Sequence, residues 1–336
     1  MLLLTGDEIH ELLRDREKEI LETVKLAYMA CDRGNAVMPA NSYLRFPGKE
    51  KERIIAKIAY LGESFEAAGI KWISSFPENI ARNIERASAA LILNSVETGR
   101  PTAVLEGSII SAKRTAASAA LAASCLWQQP EVSSVGLIGC GLINFETLRF
   151  LVSCFPGISQ ATLYDLSRDR AGQFQAKVSR SWPALKTRIG DSFEETAAQS
   201  QILSLATTAV TPFVRSWHHG DDERLILHLS VRDLAPEIIL EADNVVDDVD
   251  QVCSNETSLH LAERKVGHRD FIRCTLGEIL NGGEPVRAEN SRTTIFTPFG
   301  LAALDVGVGE LTRSLALREG AGQEVRGFFP KAWSER

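Results

Sequence analysis

Two charged residues stand in apolar surroundings. Gly69-Ile70-Lys71-Trp72-Ile73-Ser74-Ser75-Phe76-Pro77 sets Lys71 in the middle of an apolar strand pattern, and Ser111-Ala112-Lys113-Arg114-Thr115-Ala116-Ala117 sets Arg114 near the start of an otherwise apolar helix. A cation in such a setting costs several kcal/mol unless it is paired. Each therefore reads either as half of a structural ion pair or as a binder of carboxylate ligands. A second constellation is Ser134-Val135-Gly136-Leu137-Ile138-Gly139-Cys140-Gly141, an apolar run leading into a glycine pair and then a helical pattern from Leu142 to Phe155. Glycines at such a turn let backbone N–H groups approach a pyrophosphate, and the helix N-terminus adds partial positive charge. Gly139, Gly141, Leu142, Ile143 and Asn144 are thus candidate dinucleotide contacts, with Asn144 in place of the usual small third residue. Asp165, ending the next candidate strand, suits the carboxylate that bonds the adenosine ribose hydroxyls, which favours NAD over NADP. Arg168, three residues on, tempers that preference. Thr207 and Thr208, and later Ser230, are candidate walls of the same crevice, although the threonine pair also reads as a plain turn.

These residues need elements to hold them. Thr5 to Asp32 carries apolar positions at helical spacing and reads as one helix, opened by Gly6-Asp7 and closed by Gly34-Asn35. From Asn35 to Gly107 short segments rich in Ile, Val, Tyr and Trp alternate with Pro and Gly, the texture of strands and turns. Ser108 to Leu126 is rich in alanine and reads as a long buried helix. From Ser134 the pattern alternates strand and helix, with candidate strands Val135–Ile138, Ala161–Tyr164, Ile202–Ala206, Leu225–Ser230, Asn244–Val246 and Thr293–Phe296. That rhythm implies βαβ units and a parallel sheet. The expected architecture is α/β: a Rossmann doubly wound, mostly parallel sheet over 128–300, plus an α+β substrate-binding and dimerisation domain over 1–127 completed by 301–336.

Composition excludes several classes. The chain has 336 residues, 44% hydrophobic and 24% charged, with a formal net charge of −7. That is ordinary globular usage, and it argues against a nucleic-acid or anionic-membrane binder, which needs a basic face. No stretch approaches the roughly 18 apolar residues of a membrane span. Met1-Leu2-Leu3-Leu4 is too short an apolar run for a signal peptide. The six cysteines lack any C-x-x-C pair and read as reduced, buried thiols, so the expectation is a cytoplasmic protein. No metal site is expected. His218-His219-Gly220-Asp221-Asp222 reads as a polar loop, and Asp247-Asp248-Val249-Asp250 as a loop or a cofactor-side rim, lacking EF-hand spacing. Arg82 or Arg86 could reach an extra substrate carboxylate, with surface charge as the default reading.

The wording of several segments resembles the ornithine cyclodeaminase/μ-crystallin family along essentially the whole chain. The segments are the strand lysine, the Lys-Arg-Thr-Ala-Ala helix start, the glycine turn, and Phe296-Thr297-Pro298-Phe299-Gly300-Leu301-Ala302 with Asp305. More narrowly, residues 69–77, Glu-Arg-Ala-Ser-Ala at 85–89, residues 106–123 and Gly-Cys-Gly-Leu-Ile-Asn-Phe-Glu at 139–146 resemble the branch that makes 2,3-diaminopropionate for siderophores and related products. That branch also carries asparagine in the glycine motif. The resemblance implies an NAD-dependent oxidation of N-(1-amino-1-carboxy-2-ethyl)-glutamate, an amino-acid-derived substrate with three carboxylates. It implies Arg114 and Arg45 as carboxylate binders, Lys71 as carboxylate binder and proton shuttle, Asp233 as general base, and a homodimer. One departure stands out. Lys57-Ile58 precedes Ala59-Tyr60-Leu61-Gly62 where the family has an apolar-Pro pair, and the glutamate that cyclodeaminases keep just upstream is absent, with isoleucine at position 55, which argues against ornithine ring closure. Ornithine cyclodeamination, ketimine reduction, oxidation of simple amino acids and a non-catalytic dinucleotide-binding protein are the alternatives.

Overall fold

Between Ser42 and Glu106 runs rich in β-branched and aromatic residues form strands whose side chains alternate between two faces. In a computed structural model, which describes residues 1–82, 84–216, 223–286 and 293–335, the chain opens with β1 (Leu2–Leu4), α1 (Gly6–Leu12) and α2 (Glu17–Asp32). Strands β2 (Ala36–Val37), β3 (Ser42–Phe46), β4 (Lys49–Leu61), β5 (Ala67–Ser75), β6 (Ala87–Asn94) and β7 (Pro101–Glu106) follow, then α3 (Ser108–Leu126). Next come β8 (Ser134–Ile138), α4 (Leu142–Cys154), β9 (Gln160–Tyr164), α5 (Arg168–Ser181), β10 (Lys186–Ile189), α6 (Phe193–Ala198), β11 (Ile202–Leu205) and β12 (Arg224–His228). The chain continues through α7 (Pro236–Glu241), β13 (Asp243–Val246), α8 (Val249–Val252), α9 (Ser258–Val266), β14 (Ile272–Thr275), α10 (Leu276–Leu280) and β15 (Thr293–Thr297). It ends in α11 (Ala302–Glu319) and β16 (Gln323–Glu324).

Two compact units result, Met1–Ser111 with Ala302–Arg336, and Ala112–Leu301. The division falls inside α3, not after it as 127/128 had suggested, because the helix changes company there. Ser111 bonds within the first unit, whereas Lys113 pairs with Glu146 in the second. The first unit is α+β. Its sheet runs β16-β1-β7-β6-β5-β4-β2, with β3 on β4, and it is antiparallel except for β1 beside β7. The face bearing Lys57, Ala59, Leu61, Gly69, Lys71, Leu91 and Leu93 is buried, and α11 packs against β4, β5 and β6, with α2 beside it.

The second unit is a Rossmann fold. Its sheet order is β10-β9-β8-β11-β12-β15-β13-β14, every pairing parallel. The strand order reverses beside β8, where chain continuity runs to β9 on one side and β11 on the other, the place at which such sheets bind nucleotides. Ile138, Leu203, Leu205, Ile226, Val246 and Ile295 form much of its core with α7 and α9.

Three readings need correction. The N-terminal helix is two helices. Thr5 caps α1, accepting from Glu8 N while Glu8 accepts from Thr5 N at 2.8 Å, and Asp15 at φ +55° then ends the periodicity within the charged run Arg14–Glu17. The strands β10 and β14 add to the six candidates, and as edge strands they need no continuous apolar run. Only Cys140, Cys253 and Cys274 are buried; Cys31, Cys125 and Cys154 are half-buried, and all six are free thiols. No helix among the described residues is long and apolar enough to cross a membrane.

Candidate functional site

In the second unit β8 runs into a tight turn. Gly139 adopts φ +92°, and a Cβ there would lie 2.5 Å from the Ala206 carbonyl oxygen, so only glycine fits. Its N–H donates to Tyr164 O at 2.8 Å. Gly141 is the N-cap of α4 and brings no side-chain cap, leaving the first N–H groups of a thirteen-residue helix without that partner. Leu142, at the first position, is 45% exposed, and Ile143 is half-buried. The cradle, the uncapped helix and the nearby carboxylate fit a dinucleotide pyrophosphate and ribose.

Asp165 sits beside this turn. Its Oδ2 accepts from Cys140 N at 2.8 Å and its Oδ1 from Ser167 N at 2.9 Å, which leaves lone pairs on both oxygens for ribose hydroxyls. Two candidates are placed elsewhere. Asn144 is fully buried and turned inward: its amide donates to Ile138 O and Gly139 O at 2.9 and 2.8 Å and accepts from Ser204 Oγ at 2.7 Å. It locks the turn to β11. Arg168 lies exposed at the start of α5, paired with Asp191 at 2.8 Å. The cation at the turn is Arg170, whose Nε donates to Cys140 O at 3.1 Å and whose Nη2 lies 3.9 Å from where a Cβ on Gly141 would be. No spacing rule singles it out from Arg168.

A polar network follows β11 and β12. Asp233 is fully buried and receives the hydroxyls of Thr207 and Ser230; His228 Nε2 lies 3.1 Å from its Oδ2 and 3.2 Å from its backbone N. His228 Nδ1 lies 3.3 Å from Thr297 Oγ1. Burial opposes ionisation of Asp233, but the bonds from His228, Ser230 and Thr207 outweigh it and hold the carboxyl below its ordinary range. With these donors in place the carboxylate fixes the orientation of the Thr207 and Ser230 hydroxyls. Thr208 is exposed. Val231, between Ser230 and Asp233, is held at φ +60°, a strained conformation for a β-branched residue. No sequence spacing marks His228, because its partners lie across a turn and on β15.

Arg114, buried on α3, packs on the backbone of Gly300. A Cβ there would meet its Nη1 at 2.8 Å, and the φ of +93° also calls for glycine. The Phe299 and Gly300 N–H groups donate to Asp247 at 2.8 and 2.6 Å. Asp247 is thus a buried anchor for that segment, Asp248 caps α8, and Asp250 pairs with Arg269.

In the first unit Lys71, 2% exposed, donates to Asp305 Oδ2 at 2.6 Å and Ser111 Oγ at 3.0 Å. The expected strand lysine is therefore half of a buried ion pair whose partner opens α11. Buried Lys57 stands directly across from Lys71 on β4. Arg45 is exposed on β3, 5.7 Å over the Tyr43 ring. Arg82 is exposed, but Arg86 is half-buried. The histidine-rich loop at 218–222 lies outside the described residues; among the described residues no cluster of His, Cys, Asp and Glu could hold a metal ion.

The profile described as the ornithine cyclodeaminase/mu-crystallin family matches residues 2–319. The N-((2S)-2-amino-2-carboxyethyl)-L-glutamate dehydrogenase of Staphylococcus aureus is 28% identical over 313 residues, 91% of this chain and 92% of that one. The solved structure of Thermococcus litoralis Delta(1)-pyrroline-2-carboxylate reductase, in complex with NADH and L-proline, matches with TM-score 0.89 at 27% identity, covering 97% of this chain and 100% of that one. An archaeal alanine dehydrogenase dimer with bound NAD matches with TM-score 0.87 at 28% identity, covering 98% and 99%.

Proposed function

The chain belongs to the ornithine cyclodeaminase/mu-crystallin family, and from that premise we propose that it oxidises N-(1-amino-1-carboxy-2-ethyl)-glutamate with NAD and releases L-2,3-diaminopropionate and 2-oxoglutarate. The coarser statement, an NAD-dependent oxidoreductase of amino-acid CH–NH bonds, follows from the family's dehydrogenase and reductase members. The full-length similarity to the S. aureus glutamate-derivative dehydrogenase is the observation that carries the finer reading. Siderophore or related natural-product assembly is the setting that such a product suits.

The bound nicotinamide supplies a hydride acceptor. Loss of hydride from the glutamyl Cα and of a proton from nitrogen leaves a C=N bond; water adds to the carbon, the C–N bond breaks, and ketone and amine separate. Arg114 binds a substrate carboxylate with its planar fork. Lys71, paired with Asp305, takes up the proton lost from nitrogen and returns it to the imine nitrogen so that water adds at carbon. Asp233 holds Thr207 and Ser230 in fixed orientation. A second copy of the chain completes the enzyme as a homodimer.

The test is absorbance of NADH on mixing enzyme and NAD with this secondary amine, with ornithine in parallel. A rise with the secondary amine alone supports the reading. Ammonia from ornithine without net NADH overturns it in favour of cyclodeamination.

A further inference from the structure

We propose that Arg86, fixed by Ser75, selects for a substrate with a distal carboxylate, in the present case the γ-carboxylate of the glutamyl half; this deepens the reading above and rests on it. Lys71 and Ser75 lie four residues apart on β5, so both point to the buried face, about 13 Å apart along the strand. After β5 the chain makes a 3-10 turn over Pro77–Arg82 and returns, with Phe76 N donating to Arg86 O at 2.8 Å. That return lays the guanidinium over the end of the face, where Nη1 donates to Ser75 Oγ at 2.9 Å.

Arg86 has no carboxylate partner among the described residues. A hydroxyl cannot neutralise a guanidinium, and taking one out of water is unfavourable without a counter-charge. Desolvation holds this group below its ordinary value even with Glu85 nearby. Four of its five N–H donors remain for a ligand, in the fork geometry that matches a carboxylate. Ser75 pairs across the sheet with Arg53, and Arg53 with Arg45, so Arg45 stands in the same row. Arg45 too is without an acidic partner among the described residues. Cations therefore gather at one end of the face that carries Lys71, a place useful to a substrate with more than one carboxylate and idle for alanine or proline.

The experiment compares wild type, Arg86→Met and Arg86→Lys on the proposed substrate and on its analogue with 2-aminobutyrate in place of glutamate. A charge-assisted bidentate bond predicts a KM for the proposed substrate raised about 10- to 100-fold in Arg86→Met, with kcat little changed and part of the loss recovered in Arg86→Lys. The analogue, lacking the γ-carboxylate, should change by less than about 3-fold. Equal losses on both compounds, or none on either, overturn the assignment. Calorimetry of glutarate and butyrate on the NADH-loaded enzyme separates this inference from the substrate reading. If the enzyme does not oxidise the proposed substrate, that reading falls. The assignment of Arg86 stands if the preference for glutarate is lost in Arg86→Met, and is overturned if the preference persists or never existed.

Discussion

A lysine among the leucines of a sheet face stays charged only beside a counter-ion, and Lys71 finds one in Asp305, 234 residues further along the chain. The oddity of Lys71 was legible from its neighbours; its partner was not, because the pairing exists only once α11 lies on β5. Asp305→Asn removes the carboxylate that lies 2.6 Å from a buried ammonium, at a cost of about 3–5 kcal/mol, and should lower the thermal midpoint by several degrees. The double variant Lys71→Met/Asp305→Asn removes both charges and should regain most of that stability in calorimetric scans while remaining inactive. A double variant no more stable than Asp305→Asn would show that the pair is not the cause. Asp233 gives a pH prediction. Its folded carboxyl lies below the ordinary value of about 4, so its stabilisation is complete above that value and is lost as pH falls through the lowered one. The stability difference between wild type and Asp233→Asn should be flat from about pH 5 to 8 and shrink on acidification below about 4; a difference that shrinks on alkalinisation instead would contradict the ionised, hydrogen-bonded carboxylate. Cys140 lay inside the glycine motif, but its thiol, pushed up to about 12 by burial first and by Asp165 next, is unsuited to nucleophilic chemistry.

Elements were legible where periodicity was long. The alanine-rich α3, the strand-helix alternation from Ser134 and the C-terminal helix follow from patterning alone, whereas β10 and β14, with mixed sequences at sheet edges, and the break at Asp15 depend on tertiary packing. Two connections carry separable tasks. At the end of β8, Gly139→Ala would place a methyl 2.5 Å from Ala206 O in a left-handed conformation that costs non-glycine residues roughly 1–2 kcal/mol before any clash. Displacing that turn should weaken NADH binding at least about 10-fold in a fluorescence titration. After β15, Gly300→Ala would press instead on the Arg114 guanidinium. It should raise KM for the amine substrate while the NADH titration stays close to wild type. If both variants lose NADH binding equally, Gly300 and Arg114 do not form a substrate-binding element separate from the cofactor turn.

At the scale of the molecule, the alternation that buries one face of the first sheet leaves the other apolar and, among the described residues, exposed. Leu44, Ile58 and Trp72 are 47%, 47% and 45% exposed, and Ile54, Ile70 and Ile92 share their face in the β3-β4-β5-β6 register. Charge and composition forecast a globular chain but not this face, since an exposed tryptophan on a strand looks in sequence like any core position. Contiguous apolar patches of this kind mark association sites, and the archaeal alanine dehydrogenase match is a dimer. A second copy laid on the sheet would cover the patch with an identical patch, as twofold symmetry requires. Sedimentation should then find a species of twice 36.8 kDa. Placing Glu at both Ile58 and Trp72 sets like charges against each other across such an axis, where their desolvation goes unpaired. That double variant should sediment at half the wild-type mass with its circular dichroism unchanged, because both side chains face away from α11. A folded wild-type monomer at micromolar concentration would remove the second copy as the occupant of this face, and a double variant that still dimerises would move the interface elsewhere on the surface.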